Sequence, residues 1–162
     1  MYCPKNKSNT LAYTAGIVDG EGCITIANSG KITGRKHRPQ IMMVSVANTN
    51  EWLVQWLKME YGGNISFANR KNRRLGCKLC YRWGISAHAA LGFLELVSPY
   101  LQLKRPQAEL AMKFQREKEC RQKVGRRGYS DEEVAVEQAQ RILIQSYNKK
   151  GDKTGALPKE VS

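Results

Sequence analysis

Apolar residues recur along the chain with two different spacings, and each spacing predicts a different kind of element. In the segment CITIAN, Ile24 and Ile26 alternate with smaller or polar residues, as in a strand with one buried side. In the segment EWLVQWLKMEY the spacing is three or four residues, as in an amphipathic helix, and Asn48-Thr49-Asn50 before it is typical of an N-cap. The whole pattern predicts seven elements: a helix from Asn9 or Thr10 to Asp19 closed by a glycine turn, strands Cys23–Asn28 and Gln40–Ala47, a helix Glu51–Tyr61, strands Asn64–Ala68 and Cys80–Ile85, and a helix Ala87–Val97.

This α-β-β-α-β-β-α order predicts an α+β fold. Two hairpins, each preceded by a helix, pair into a four-stranded antiparallel sheet, and the connecting helices lie together on one side of it. The other side of the sheet is then free to meet a partner.

Two further helices follow at the C-terminal end. One covers 105–123, and the other begins with a capping box formed by Ser130 and Glu133. Its apolar residues are expected to dock on the protein: Val134, Ala135, Ile142 and Leu143. We expect a core domain over 1–128, this last helix over 129–150 packed on the same domain, and a tail over 151–162.

Alternation also predicts which side chains enter the core. In the second strand we expect Val44 and Val46 inside and Ile41, Met43 and Ser45 outside. The remaining residues expected inside are Trp52, Leu53, Trp56, Leu57, either Met59 or Tyr61, Ile65, Phe67, Tyr81 and Trp83.

The charge of the chain points to an anionic partner. Its 162 residues carry 27 basic and 14 acidic side chains, a net charge of +13 at pH 7. Two basic runs without an acid, 31–38 (KITGRKHR) and 70–82 (RKNRRLGCKLCYR), each separate two predicted strands. Nucleic acid is therefore the first expectation and an anionic membrane a distant one.

The cysteines and the hydropathy indicate an intracellular protein. Five cysteines are an odd number, no apolar signal segment opens the sequence, and no stretch approaches the ~20 apolar residues of a membrane span. Cys77 and Cys80 form a lone C-x-x-C without the further ligands that zinc needs. We expect reduced thiols, no membrane, and a location in the cytoplasm of a prokaryote or in an organelle.

The segment TAGIVDGEG, residues 14–22, carries the sharpest candidate chemistry. Ala12, Ala15, Gly16 and Asp19 share one helix face, and a face that small permits close approach of a second helix. Asp19 and Glu21 sit near a helix C-terminus, where the dipole disfavours negative charge unless a cation compensates it. Mg²⁺ bound by carboxylate and carbonyl oxygens would do so. A glycine cap with two surface acids explains the same residues without a metal.

TAGIVDGEG resembles the motif of LAGLIDADG homing endonucleases, and the predicted element order matches the core of that family. The segment PYLQLKRPQA, residues 99–108, resembles the part of single-motif members that carries a lysine near the active site. The resemblance covers roughly residues 9–120. One copy of the motif implies a homodimer with Ala12, Ala15, Gly16 and Asp19 at its interface.

The resemblance implies a site-specific, Mg²⁺-dependent double-strand break in a long pseudo-palindromic DNA target. It assigns Glu21 and the Gly20 carbonyl to metal binding, and Glu21, Lys104 and Asn48 to catalysis; it matches Asp19 to an acid that more often caps a helix. DNA contacts are expected from Thr25, Ser29, Arg35, Lys36, Arg38, Ser66, Arg70, Arg73, Arg74, Lys78 and Arg82. Two alternatives remain: an intron maturase that binds RNA, and a non-catalytic DNA-binding regulator on the same scaffold.

Overall fold

The computed structural model describes residues 7–29, 39–67, 79–122 and 130–149. The predicted order of elements is confirmed. The elements are α1 (Lys7–Glu21), β1 (Gly22–Asn28), β2 (Gln40–Asn48), α2 (Glu51–Tyr61), β3 (Asn64–Phe67), β4 (Tyr81–Ser86), α3 (Ala87–Val97), a 3₁₀ turn (Ser98–Tyr100), α4 (Arg105–Gln122) and α5 (Asp131–Tyr147).

Helix α1 is longer than predicted and runs into β1 without a separate turn. Gly22 makes this junction possible, because a Cβ atom there would lie 2.5 Å from the carbonyl oxygen of Val18. Gly22, which the sequence pattern places in a helix-ending turn, therefore allows the helix to end directly against the strand. The consequence is that Glu21 is held at a fixed point between the two elements.

The strands form one antiparallel sheet in the order β1-β2-β4-β3. The four-stranded antiparallel sheet of two hairpins is confirmed, and the hairpins meet along the β2–β4 pair. At the base of the first hairpin the Ser29 N–H donates to the Pro39 carbonyl over 2.8 Å. The basic run 31–38 and residues 70–78 of the second basic run connect the strands of the two hairpins and lie outside the described residues.

One side of the sheet is buried under the helices. Ile24 and Ile26 of β1, Val44 and Val46 of β2, and Trp83 of β4 are fully buried, which confirms the predicted register of these strands. Burying such apolar side chains is the main term that stabilises the fold. Trp83 is also tied by its Nε1–H to the Gly62 carbonyl at 2.8 Å.

Two aromatic residues expected in the core are exposed instead. Trp52 is 62% exposed, because it sits in the first turn of α2 and stacks on Trp56 at 6.4 Å between ring centroids. Phe67 is 60% exposed, because it ends the edge strand β3, where it packs against the half-buried Tyr81. In α2 the buried apolar residue that the sequence pattern missed is Val54.

Helix α5 packs on α4 and β1 with the opposite side to the one predicted. Its capping box is confirmed, but Ile142 is 67% exposed and Leu143 is also exposed. The reason is that α4 presents long polar side chains, so that Arg121 pairs with Glu137 at 3.5 Å and Gln140 donates to Glu117 at 2.9 Å. After α5, Asn148 donates its Nδ2–H to a carbonyl of edge strand β1, that of Ile24, over 2.8 Å.

Within the described segments, no helix combines the length and the apolar character that a membrane span requires.

Candidate functional site

The C-terminal end of α1 gathers a carboxylate and an ammonium group. Glu21 is its last residue and is exposed. Lys104, from the segment before α4, donates its Nζ–H to the carbonyl oxygens of Val18 at 2.9 Å and Asp19 at 2.5 Å. The cation thus binds the last-turn carbonyls, where the helix dipole favours positive charge. The compensating cation that the sequence argument required is a side chain of the chain itself.

Asp19 holds the backbone of the segment that carries this lysine. Its Oδ2 accepts from the Gln102 N–H at 2.8 Å and its Oδ1 from the Lys104 N–H at 2.9 Å. Lys104 is therefore fixed at two points, by its backbone through Asp19 and by its side chain through α1. Both oxygens of Asp19 accept hydrogen bonds from amides of its own chain that precede α4.

We expect Asp19→Ala to destabilise the fold by about 1–2 kcal/mol, because two amide donors lose a charged acceptor. Asp19→Asn keeps one acceptor oxygen and should lose less. Chemical denaturation of the three proteins measures the difference. Equal free energies of unfolding for the alanine variant and the parent would contradict the role of this contact.

The Glu21 carboxylate and the Gly20 carbonyl provide oxygen ligands of the type that a hard cation binds. Both residues are exposed, and Mg²⁺ prefers oxygen ligands such as carboxylates and carbonyls. Among the described residues no group of three or more His, Cys, Asp or Glu side chains could hold a metal. A cation bound at Glu21 and Gly20 would take its remaining ligands from water, from phosphate or from a second copy.

Asn48 ends β2, two residues beyond the Val46 that pairs with Gly22 directly after α1. It is on the core side of β2 with Val44 and Val46, and its Oδ1 accepts from the Asn50 N–H at 2.8 Å, in a turn that leads into α2. Opposite it in the ladder is Tyr81, and a hydrogen bond with Glu51 raises the pKa of this tyrosine above the usual 10.0. The catalytic assignment of Asn48 stays a prediction, and the contacts described for it are structural.

The exposed face of α1 differs in part from the predicted one. Ala12 and Gly16 are exposed, but Ala15 is fully buried in its own chain, so its assignment to a partner interface is wrong. Gly20 belongs to the exposed face instead of Ala15, since a Cβ atom at Gly16 or Gly20 would have nothing within 4 Å. Sequence reasoning also missed Leu103, which is 74% exposed beside Lys104, because a leucine next to a proline-started helix resembles a core residue.

The side of the sheet opposite the core, here called the open side, carries mostly uncharged side chains. Three cross-strand rows define it: Cys23–Ser45–Gly84–Asn64, Thr25–Met43–Ser86 and Ala47–Arg82–Ser66, with the pair Ala27–Ile41 beyond them. Arg82 is the only charged side chain that the described strands place there.

The residues expected to contact nucleic acid divide into two groups. Thr25, Ser66 and Arg82 lie on the open side, and Ser29 is at the base of the first hairpin next to it. The seven others lie outside the described residues: Arg35, Lys36, Arg38, Arg70, Arg73, Arg74 and Lys78.

Comparison with known proteins gives structural neighbours. No protein-family model and no curated protein sequence matches the chain. The structure is similar to the homing endonuclease I-CvuI in complex with DNA targets, at 20% identity and a TM-score of 0.69, over 93% of this chain and 88% of that one. It is similar to the archaeal intron-encoded homing endonuclease I-Vdi141I in complex with DNA, at 12% identity and a TM-score of 0.69, over 93% and 91%.

A third neighbour is longer. The LAGLIDADG homing endonuclease I-SmaMI, bound to cleaved DNA, matches at 12% identity and a TM-score of 0.61, over 81% of this chain but only 42% of that one. Together these similarities show that the chain has the fold of LAGLIDADG homing endonucleases, which confirms the fold that the motif predicted.

Proposed function

We propose that this chain is a site-specific DNA endonuclease of the homing type. The observation that carries the proposal is the end of α1, where Glu21 is exposed directly before β1 and Lys104, held at two points, binds the carbonyls of Val18 and Asp19. The net charge of +13 suits a polyanionic partner, and the three neighbours named above are homing endonucleases in complex with DNA.

The chemistry is metal-assisted hydrolysis of a phosphodiester. A divalent cation at Glu21 and the Gly20 carbonyl would supply Lewis acidity and lower the pKa of a bound water. Lys104 offsets the negative charge that develops on the scissile phosphate, and its two carbonyl contacts keep the ammonium in place before the substrate arrives. The structures of the I-CvuI complexes were determined in the presence of Mg or Ca, which supports a divalent metal here.

A homodimer completes the site in this proposal. One chain contributes one Glu21, and cleavage of both strands needs two acids close to a symmetry axis. The exposed face of α1 formed by Ala12, Gly16 and Gly20 allows a second α1 to approach, and the exposed side chains of Tyr13 and Leu103 flank it. The match to 42% of I-SmaMI supports pairing, since that longer chain has room for two such units.

The proposal is tested by selection from a randomised DNA library with Mg²⁺ present and sequencing of the cleaved ends. We expect a long pseudo-palindromic site, because the symmetry of a target mirrors that of a two-fold dimer. Specific binding without cleavage would instead support a DNA-binding regulator. Preferential binding of a structured intron RNA would support a maturase.

We expect Lys104→Ala to slow cleavage about a hundredfold, the usual effect of losing one electrostatic contact to the transition state. The fold should persist, because Asp19 binds the backbone N–H of residue 104 and not its side chain. Lys113→Ala, at an exposed position of α4, is the matched control. Single-turnover cleavage rates decide the matter, and an unchanged rate for Lys104→Ala would remove this residue from the site.

Two native cysteines report whether DNA covers the open side. Cys23 is exposed there, whereas Cys120 is exposed on α4. We expect saturating target DNA to slow the reaction of Cys23 with a thiol reagent about tenfold or more, because modification requires access to the thiolate. Cys120 should react at the same rate with and without DNA. Peptide mapping measures both rates, and an unprotected Cys23 would show that DNA binds elsewhere.

A further inference from the structure

The open side of the sheet is divided into an apolar half and a polar half. On the β1–β2 hairpin, Ala27 pairs with Ile41 and Thr25 pairs with Met43, so that aliphatic groups on neighbouring strands form one patch. Met43 is 36% exposed although it lies in the middle of a strand. On the β3–β4 hairpin the corresponding side chains are polar: Asn64, Ser66, Arg82 and Ser86.

Apolar side chains in a major groove favour thymine over the other bases. Thymine presents a C5-methyl group there, whereas the other bases present only hydrogen-bond donors and acceptors at the same edge. A methyl group against Met43 or Ile41 removes apolar surface from water. A guanine or cytosine edge against the same side chains loses its hydrogen bonds to water and gains none.

The apolar patch differs from ordinary exposed hydrophobic residues because basic residues lie near it in the sequence and on the same side of the sheet. The basic run 31–38 connects the two strands that carry the patch, and Arg82 lies on the same open side. A second protein copy bringing the same +13 charge to this side would be repelled, whereas a polyanion would be attracted. Double-stranded DNA is therefore the occupant that fits the patch.

We propose that Ile41 and Met43, with Ala27 and Thr25 beside them, read thymine methyl groups, so that the target carries A·T base pairs opposite the β1–β2 hairpin. This inference rests on the proposed function and specifies the substrate of the same surface.

The strand also fixes where those base pairs lie. β1 begins directly after Glu21, and a strand rises about 3.3 Å per residue, close to the base-pair rise of about 3.4 Å. Thr25 and Ala27 are four and six residues beyond Glu21. For a strand that follows the groove, the thymines lie about four to six base pairs from each cleaved phosphate.

The test replaces single thymines of the selected target by uracil, which lacks only the methyl group. We expect the Kd to rise about fourfold for each methyl removed at the positions opposite the patch, the value of one buried methyl-sized group. Uracil at positions opposite the β3–β4 hairpin should leave the Kd unchanged. Binding is measured by fluorescence anisotropy in Ca²⁺, so that cleavage does not contribute.

Variants tie the effect to the patch. For each of the variants Met43→Gln and Ile41→Thr, the ratio of the Kd for the uracil target to the Kd for the thymine target should fall towards one. Because both values are measured on the same variant, this ratio does not depend on its stability. Leu96→Gln makes a similar change at an exposed residue of α3 and should keep the fourfold ratio.

The outcomes separate this inference from the proposed function. A protein that selects a sequence but ignores the methyl groups, or whose Met43 and Ile41 variants keep the full ratio, overturns the thymine reading alone. A protein that selects no DNA sequence overturns both.

Discussion

Replacement of Glu21 by glutamine is expected to abolish metal-dependent cleavage while target binding persists. The substitution keeps the size of the side chain but removes its negative charge. Asp19, the other carboxylate at the end of α1, binds backbone amides of its own chain, whereas no such contact is described for Glu21. We expect the cleavage rate in Mg²⁺ to fall by more than about a hundredfold, since a ligand of the catalytic metal and its charge are both lost. The Kd for the target should not rise, because the variant places less negative charge near the phosphates.

Single-turnover cleavage and anisotropy titrations on the same preparations separate the two effects. Glu109→Gln, the same change at an exposed position of α4, should cleave and bind like the parent. A Glu21→Gln variant that cuts at the parent rate would show that the metal assignment is wrong. A variant that fails to bind would show that Glu21 stabilises the DNA-binding surface and not the reaction.

Much of the fold follows from local patterns in the sequence. Alternation at Ile24 and Ile26, and at Val44 and Val46, predicts the buried side of the sheet because one side of each strand faces the helices. Ser130 and Glu133 predict the start of α5 because the capping box involves only neighbouring residues.

The errors concern contacts between elements that are distant in sequence. The outward apolar residues of α5 could not be foreseen, because the side that packs is decided by Arg121 and Glu117 of α4. The spacing of Trp52 predicts a core position, yet this side chain is 62% exposed in the first turn of α2. Periodicity reports that a helix has an apolar side, but not which neighbour is available to cover it.

In the candidate site, too, local features are predicted from the sequence and contacts between distant residues are not. The motif predicts Glu21 and Gly20 at a helix end, and the resemblance to the family assigns Lys104 to the same place. Neither predicts that Asp19 holds the backbone of residue 104 or that the lysine binds α1 carbonyls, because these contacts join residues 85 and 86 positions apart. The catalytic role of Asn48, the contacts of the basic loops and the intracellular location stay predictions.

We expect Gly16→Leu to separate the two subunits and abolish cleavage without touching a metal ligand. Within one chain the leucine meets no obstacle, since a Cβ at Gly16 has nothing within 4 Å, and a helix gains stability of about 0.8–1 kcal/mol when an interior glycine is replaced by a good helix former. The protomer should therefore remain folded. In a two-fold dimer the new side chain enters the space between the two α1 helices twice, once from each subunit.

Sedimentation measures the association state and the cleavage assay measures the consequence. Gly92→Leu is the matched control, because Gly92 is also an exposed helical glycine with nothing within 4 Å of an added Cβ, but it lies on α3. We expect the Gly92 variant to dimerise and cut, while the Gly16 variant is a folded monomer that does neither. A parent protein that is monomeric on its target, a Gly16→Leu variant that still dimerises, or equal dissociation of both variants would each contradict pairing through α1. Loss of cleavage by a folded Gly16→Leu monomer would instead support the proposal that neither chain alone holds a complete active site.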